Sequence, residues 1–200
     1  FRRVLFRSSR VMASDYLTQG PEVSKFEDSL QDTLGVKKVV ACSSGTAALH
    51  LSYAALEANP ESIALVPAIT FSATANAIRY FGGSVQFCDV DPCTGLICID
   101  SLKDKIQKVD KPQLKKNNFV VPVSMSGATA PLDECKKIAE CSGFKLIEDA
   151  SHSILSSKVN ETGKTVRSAS CEYTETACLS FHPVKHLCCG EGGAIATNSL

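Results

Sequence analysis

Short apolar runs alternate along this chain with segments in which apolar residues recur at helical spacing. The apolar runs predict strands at 36–42, 63–66, 84–90, 119–123, 144–147, 177–179 and 194–197. The periodic segments predict helices at 24–34, 47–55, 69–77, 99–109 and 131–140. Strands that are separated by helices in this way favour right-handed crossovers, and therefore an α/β fold with a mostly parallel sheet covered by helices on both faces.

Local signals sharpen the boundaries of the helices. Ser24 and Glu27 have the spacing of a capping box, which predicts that the first helix begins near Ser24. Gly35 and Gly143 follow helical segments, where glycine commonly ends a helix in the left-handed conformation. The polar, turn-rich residues 158–167 predict an excursion at the surface.

Composition places the chain among ordinary globular proteins. Of its 200 residues, 44% are hydrophobic and 21% are charged, and the formal net charge is zero. Without a basic stripe the sequence gives no reason to expect nucleic acid as a partner. No apolar run approaches the length of a membrane span, so we expect no membrane insertion either.

The two ends of the sequence indicate an incomplete chain. It begins without Met and ends just after a strand-like run. We interpret residues 1–14 as a non-native or N-terminal segment, and residues 15–200 as one large domain.

Ten cysteines are many for this length, but they form no pattern typical of metal ligands or of a disulfide framework. No C-x-x-C occurs, and Cys188 and Cys189 are adjacent, which is a strained geometry for a bridge. We therefore interpret the cysteines as reduced thiols that act as small hydrophobic residues in a cytoplasmic protein. A zinc site is the less favoured interpretation.

Four segments that follow predicted strands carry candidate chemistry, centred on Ser44, Phe71, Asp149 and Lys185. Ligands of parallel sheets bind beyond the carboxyl ends of the strands, so these segments are expected to share one crevice. The turn at Ser44 precedes a helix whose first N–H groups could hold a phosphate, although Ser44 could equally serve only as a helix cap. Lys185 lies on a Gly-containing turn between two apolar strands, which is unusual for a lysine that is neither paired nor used chemically.

An anion site, an aromatic ring, a carboxylate and a lysine together match the needs of pyridoxal phosphate. Its phosphate is anionic, its ring is flat, its ring nitrogen must stay protonated, and its aldehyde condenses with an amine. A free lysine is a poor nucleophile at neutral pH, and therefore needs desolvation or cationic neighbours.

Six motifs in order resemble the sugar aminotransferases of the DegT/DnrJ/EryC1/StrS family. They are L-T-Q-G-P, S-S-G-T-A-A-L-H-L, P-A-I-T-F-S-A-T-A-N-A, D-V-D-P-C-T-G, E-D-A-S-H-S, and S-F-H-P-V-K followed by G-E-G-G. The resemblance runs from Asp15 to Leu200. It implies the large domain of a fold type I pyridoxal-phosphate-dependent transferase, with a sheet of seven-stranded type, and a smaller C-terminal domain that this sequence lacks.

The resemblance also implies roles for individual residues. Lys185 binds the cofactor covalently and moves the proton during amino transfer. Asp149 pairs with the protonated ring nitrogen, Phe71 stacks on the ring, and His152 lies near the 3-hydroxyl or is only a satisfied core histidine. Gly45, Thr46 and Ser180 hold the phosphate, Ala47 is a further cofactor-binding residue, and Thr18 is implied as a substrate contact.

The implied activity is transfer of an amino group from an amino acid, with glutamate expected, to the C4 keto group of a UDP-4-keto-6-deoxy-N-acetylhexosamine, as in pseudaminic acid synthesis. The expected assembly is a homodimer whose partner completes the pocket. Two regions depart from the family pattern. Residues 124–129 replace a segment with His-Leu and Gly-Gln-Pro, and Cys188-Cys189 replaces Thr-Thr.

The sequence is also compatible with other functions. A sugar dehydratase on the same scaffold is expected to have His in place of Lys185, and His186 is adjacent. An inactive fragment or a non-catalytic binding protein that retains the fold is a further alternative. A nucleotide-binding dehydrogenase is disfavoured because no G-x-G-x-x-G follows the first strand.

Overall fold

The fold is seen in a computed structural model, which describes residues 8–114 and 116–199. The strands are β1 Lys38–Cys42, β2 Ile63–Pro67, β3 Ser84–Cys88, β4 Asn118–Val120, β5 Phe144–Asp149, β6 Ser157–Val159, β7 Thr165–Arg167, β8 Thr176–Ser180 and β9 Gly193–Thr197. From residue 21 onwards, the helices are α1 Pro21–Leu34, α2 Gly45–Ala55, α3 Ser72–Arg79, α4 Ile99–Gln107, α5 Lys111–Leu114 and α6 Leu132–Ser142.

In the described part of the chain, the main sheet has seven strands in the order β1-β9-β8-β5-β4-β2-β3. β9 is antiparallel to both of its neighbours, and the other pairs are parallel. Six strands therefore run in one direction and end at one edge of the sheet, where the reversed β9 begins. The predicted mostly parallel α/β sheet is confirmed, and so is the turn between two strands that carries Lys185.

Helices cover both faces of this sheet, as the sequence predicts. In β2, Ala64 and Val66 pack into the core beneath α2 and α3, whereas Leu65 between them packs on the opposite face beneath α4 and α6. Successive side chains of a strand point to opposite faces, so a strand buried on both sides needs a continuous apolar run. This explains why the central strands are so easily seen in the sequence.

The predicted capping box is wrong. Helix α1 begins at Pro21, after Gly20, so Ser24 lies inside the helix. Glu27 instead accepts a hydrogen bond from the backbone N–H of Ala41 at 2.8 Å. Its carboxylate thus occupies a donor of the edge strand β1, which would otherwise be open to pairing with another strand. The predicted end of the helix is confirmed, because Gly35 has φ 69°.

The first strand is shorter and less buried than predicted. It begins at Lys38 rather than Val36, and Val40 is 46% exposed. Val39 is fully buried, whereas Lys38 and Val40 on either side of it are exposed, so the face of β1 that carries Val40 is only partly covered.

The surface excursion predicted at 158–167 is a hairpin of β6 and β7. Each strand has three residues, and Val166 is the buried residue in β7. Strands this short leave almost no periodic signal in a sequence.

All ten cysteines are free thiols. Burial raises the pKa of Cys88 and of Cys171 to about 12, so both thiols are neutral. Among residues 8–114 and 116–199, no group of three or more His, Cys, Asp or Glu side chains is placed to hold a metal ion. No helix in these ranges is both long and apolar enough to cross a membrane.

Candidate active site

An open cavity of about 400 Å³ lies at the edge of the sheet where the parallel strands end. β5 ends at Asp149 and β8 ends at Ser180, and both residues line the cavity. The loop between β8 and β9 adds Lys185. The predicted crevice thus exists. Of the predicted site residues, it gathers Gly45, Thr46, Phe71, Asp149, His152, Ser180 and Lys185.

The turn before α2 has the properties of an anion site. Ser44 caps the helix, because its Oγ accepts a hydrogen bond from the N–H of Ala47 at 3.1 Å. The N–H groups of Gly45 and Thr46 make no hydrogen bond with any described residue. Free N–H groups at a helix N-terminus attract anions. Both interpretations of the turn therefore hold together: Ser44 is a cap, and two donors remain for a ligand.

Close packing requires glycine at two positions around this turn. A Cβ on Gly45 would lie 2.8 Å from Cβ of Ser180 and 3.3 Å from the hydroxyl oxygens of Ser180 and Ser151. A Cβ on Gly193 would meet the backbone of Ser44 at 2.3 Å. The start of β9 thus presses directly on the turn, and two hydroxyl groups converge beside its free N–H groups.

Asp149 is buried, with 3% of its surface exposed, and its carboxylate is held by two donors. Oδ2 accepts a hydrogen bond from the Thr74 hydroxyl at 2.7 Å, and Oδ1 accepts one from the N–H of Ser151 at 3.1 Å. Thr70 in turn donates to the Thr74 hydroxyl at 2.7 Å. A carboxylate can accept about four hydrogen bonds, so Asp149 keeps capacity for a donor on a ligand.

Lys185 lies in a turn whose backbone is fixed by a hydrogen bond from its N–H to the carbonyl of His182 at 2.9 Å. Its Nζ lies 2.5 Å from Nε2 of His152. Partial burial lowers the pKa of Lys185, and the charge of Asp149 opposes this effect. A lowered pKa increases the fraction of neutral amine, which is the nucleophilic form.

His152 lies between Lys185 and a methionine. Its Nδ1 lies 3.2 Å from Sδ of Met125. Burial lowers the pKa of His152, and the neighbouring charge of Lys185 lowers it further. The imidazole is therefore neutral at pH 7, with one nitrogen able to accept a proton.

Phe71 is the N-cap residue of α3 and is 68% exposed, so its ring is open to a flat ligand.

Two predicted site residues lie elsewhere. Ala47 is not among the residues that line the cavity, and its N–H is occupied by Ser44. Thr18 lines a separate pocket within residues 10–23. Its role as a substrate contact stays a prediction.

Sequence reasoning missed the residues that hold the predicted ones in place. Thr74 and Ser151 orient Asp149, Met125 contacts His152, and Gly193 lies against the anion turn. The spacing of Thr70 and Thr74 is a helical i, i+4 pair, which hints at contact. Nothing in the sequence indicates that this pair meets Asp149, because 75 positions separate Thr74 from it.

The cavity fits a flat, anionic aldehyde. Free N–H groups and hydroxyls form a cradle for a phosphate, a carboxylate with spare capacity faces the same space, and an amine with a lowered pKa also lines it. Pyridoxal phosphate has this combination of groups.

The sequence is similar to known proteins over nearly its whole length. The profile described as the DegT/DnrJ/EryC1/StrS aminotransferase family matches residues 5–199. The chain is 36% identical over 190 residues to UDP-2-acetamido-2-deoxy-3-oxo-D-glucuronate aminotransferase from Pseudomonas aeruginosa, covering 94% of this chain and 49% of that protein. It is 34% identical over 197 residues to 3-oxo-glucose-6-phosphate:glutamate aminotransferase from Bacillus subtilis, covering 98% and 41%. The chain thus spans less than half the length of these curated relatives.

Solved structures share the fold. A DegT DnrJ EryC1 StrS aminotransferase from Brucella abortus has a TM-score of 0.84 and 33% identity, covering 96% of this chain and 50% of that chain. NtdA from Bacillus subtilis, with bound cofactor PMP, has a TM-score of 0.77 and 34% identity, covering 92% and 38%. PseC from Helicobacter pylori, an aminotransferase involved in the biosynthesis of pseudoaminic acid, has a TM-score of 0.79 and 27% identity, covering 95% and 48%.

Proposed function

This chain belongs to the DegT/DnrJ/EryC1/StrS aminotransferase family, and from that premise we propose that it is the cofactor-binding part of a pyridoxal-phosphate-dependent sugar aminotransferase. The observation that carries the proposal is that Lys185 and Asp149 line one cavity beside the free N–H groups of the turn at Gly45. These groups are far apart in the sequence, and each serves a different part of the same cofactor.

In this proposal the chain's own groups bind and orient the cofactor. The N–H groups of Gly45 and Thr46 and the Ser180 hydroxyl hold the phosphate. Asp149 accepts a charge-assisted hydrogen bond from the ring nitrogen and so keeps it protonated. When bound, pyridoxal phosphate supplies an aldehyde that bonds to an amine and a ring that withdraws electrons.

Lys185 and His152 can exchange a proton within the same cavity. Because its pKa is lowered, Lys185 reaches the neutral form that bonds to an aldehyde more readily than an exposed lysine does. Neutral His152 lies within hydrogen-bond distance of Nζ and can take the proton that this amine releases. Lys185 then carries a proton between the donor amino acid and the cofactor.

For the substrate, we propose a nucleotide-linked keto sugar, with an amino acid such as glutamate as the donor. The finer proposal is amino transfer to C4 of a UDP-4-keto-6-deoxy-N-acetylhexosamine. This is the reaction of the UDP-4-amino-4,6-dideoxy-N-acetyl-β-L-altrosamine transaminase, which the sequence motifs resemble, and the similarity to PseC supports it. The names of two curated relatives favour a second candidate, which is transfer to a C3 keto group. The homodimer and the cytoplasmic location also remain proposals.

Borohydride reduction of the complete protein tests the cofactor assignment. We expect reduction in the presence of pyridoxal phosphate to attach the cofactor to the peptide that contains Lys185, which mass spectrometry detects. Lys185→Ala should abolish the attachment. Lys145→Ala is a matched control, because Lys145 is also partly buried but donates to the carbonyl of Leu56 outside the cavity. Unchanged attachment in Lys185→Ala would refute the assignment.

A substrate panel separates the candidate reactions. The complete protein is incubated with glutamate and either 4-keto or 3-keto UDP-sugars, and 2-oxoglutarate formation is followed. Turnover of the 4-keto sugar supports the finer proposal, and turnover of the 3-keto sugar replaces it. Loss of a sugar hydroxyl without formation of 2-oxoglutarate would identify a dehydratase.

A further inference from the structure

Glu148 precedes Asp149 on β5 but points to the other face of the sheet, away from the cavity. Its side chain has no exposed surface, and no described Lys or Arg side chain pairs with it. Three donors surround its carboxylate. Oε1 accepts hydrogen bonds from the hydroxyls of Ser124 at 2.6 Å and Ser168 at 2.5 Å, and Oε2 accepts one from the N–H of Ala169 at 2.8 Å. Burial raises the pKa of Glu148, and the hydrogen bonds from these three donors oppose that effect.

One arm of this network fixes the turn that presents Met125. The Ser124 hydroxyl, while it donates to Glu148, accepts a hydrogen bond from the N–H of Ala130 at 3.0 Å. Ser124, at one end of the segment 124–130, is therefore bonded to the carboxylate, and Ala130, at the other end, is bonded to the Ser124 hydroxyl. Between them, the N–H of Ala128 donates to the carbonyl of Met125 at 2.8 Å and closes a tight turn. This turn places Sδ of Met125 against Nδ1 of His152.

The second arm fixes the segment that carries the imidazole itself. The Ser168 hydroxyl has one hydrogen, which it donates to Glu148, so the Ser153 hydroxyl, 2.7 Å away, must donate to Ser168. Ser153 directly follows His152. The segments that carry Met125 and His152 are thus both linked to the same buried carboxylate, one through Ser124 and the other through Ser153 and Ser168.

The contact with Met125 favours one tautomer of His152, and a hydrogen donated by Nζ of Lys185 to Nε2 favours the same one. A thioether sulfur has no hydrogen to donate and acts only as a weak acceptor. The Nδ1 contact is therefore favourable when Nδ1 carries the hydrogen, which leaves the lone pair of a neutral imidazole on Nε2. That is the nitrogen facing Nζ of Lys185. In this tautomer, Nε2 can accept a hydrogen bond or a proton from the lysine.

We propose that Glu148 is a positioning residue for His152: through the turn of Met125 and through Ser153, it holds the imidazole in the Nδ1–H tautomer with Nε2 towards Lys185. The role depends on the proposed function only in that Lys185 is the reactive amine. Asp149 and Glu148 thus have separate tasks on opposite faces of one strand, since one meets the cofactor and the other sets the proton acceptor beside Lys185.

The test measures the tautomer of His152 directly, in the complete protein without cofactor. Nitrogen chemical shifts of the imidazole distinguish Nδ1–H from Nε2–H, and His152→Gln assigns the signals. Glu148→Gln replaces one carboxylate oxygen by an N–H₂ group, which donates hydrogen bonds and does not accept them. This group faces either the N–H of Ala169 or the hydroxyls of Ser124 and Ser168, so at least one of these donors loses its acceptor. We expect the tautomer ratio to move away from Nδ1–H by up to about fivefold, which is the factor for the loss of one ordinary hydrogen bond and an upper value for a contact to a weakly accepting sulfur.

Glu175→Gln is the matched control. Glu175 is a carboxylate that also accepts a backbone N–H of β5, from Leu146, and pairs with Lys136, but no contact joins it to His152. Glu175→Gln should lower the melting temperature and leave the nitrogen chemical shifts of His152 unchanged. Met125→Leu keeps the volume but removes the sulfur, so it should shift the tautomer without a matching loss of stability.

Two measurements, the melting temperature and the His152 signals, decide whether Glu148 positions His152 or only stabilises the fold. If Glu148→Gln lowers the melting temperature but moves the His152 signals no more than Glu175→Gln does, Glu148 is only structural and the proposal is wrong. If Glu148→Gln does not fold, Ser124→Ala and Ser168→Ala each cut one arm and decide the question by the same signals. Because no cofactor is present, a failure of this proposal is distinct from a failure of the proposed function.

Discussion

Thr74→Val removes one hydroxyl from the support of Asp149 and keeps the shape of the side chain. Thr74 is fully buried, and its hydroxyl donates to the Asp149 carboxylate while it accepts from Thr70. Valine can do neither. The substitution therefore leaves a buried carboxylate with one donor, from Ser151, and a threonine hydroxyl without its acceptor.

The expected loss follows from the charge on the acceptor. A hydrogen bond to a charged group contributes about 1.5–3 kcal/mol to the free energy of unfolding. For a domain of this size, each kcal/mol lowers the melting temperature by about 2–4 °C. We therefore expect the melting temperature of the cofactor-free protein to fall by about 3–12 °C. Pyridoxal phosphate should also bind more weakly, about tenfold for each 1.4 kcal/mol, because Asp149 is less well oriented.

Thermal unfolding followed by circular dichroism measures the first effect, and cofactor titration followed by absorbance measures the second. Thr176→Val is a matched control. Thr176 is 5% exposed, lies in β8, and its buried hydroxyl has no hydrogen-bond partner among the described residues. Losing an unpaired hydroxyl should not destabilise the protein, and valine suits a strand.

If the two valine variants melt within about 1 °C of each other, Thr74 does not stabilise Asp149, since that difference is too small for a hydrogen bond to a buried charge. A second contradicting result is a lower melting temperature of Thr74→Val with a cofactor affinity that matches the wild type. In that case Thr74 supports the fold and not the orientation of Asp149.

Two further predictions follow from the same cavity. Gly193→Ala drives a Cβ into the backbone of Ser44, so it should cost about 1–3 kcal/mol or more and weaken phosphate binding. Gly163→Ala, at a positive φ with open space around it, shows the loss that backbone strain causes without a clash, and a loss in Gly193→Ala no larger than this one would contradict the packing argument. Because the pKa of His152 is lowered in the folded state, the unfolded chain binds its proton more tightly, and stability should fall as pH drops from about 6.5 through that lowered pKa. Urea titrations at pH 7 and pH 5 should show a smaller loss in His152→Gln than in the wild type, and equal losses would exclude His152 as the cause.

The strands were predictable where burial on both faces left a continuous apolar run, as in β2. They were harder to predict at the edge of the sheet and where they are short. In β1, Val39 is buried between two exposed residues, and β6 and β7 are too short for any period to appear. Ser24 and Glu27 matched a capping box by spacing alone, yet Pro21 had already started the helix and Glu27 met β1 instead.

The amino-acid sequence by itself determined which groups this protein offers for chemistry: a lysine on a loop between apolar strands, an aspartate after another strand, and a glycine turn before a helix. Residue type and local spacing are enough for that, because strand direction brings such segments to one edge of a parallel sheet. Only the tertiary structure decided what orients those groups. Thr74 donates to Asp149, Gly193 packs against the backbone of Ser44, and Glu148 accepts hydrogen bonds from Ser124 and Ser168 near His152. These contacts join distant parts of the chain, so they depend on tertiary packing and leave no local pattern in the sequence.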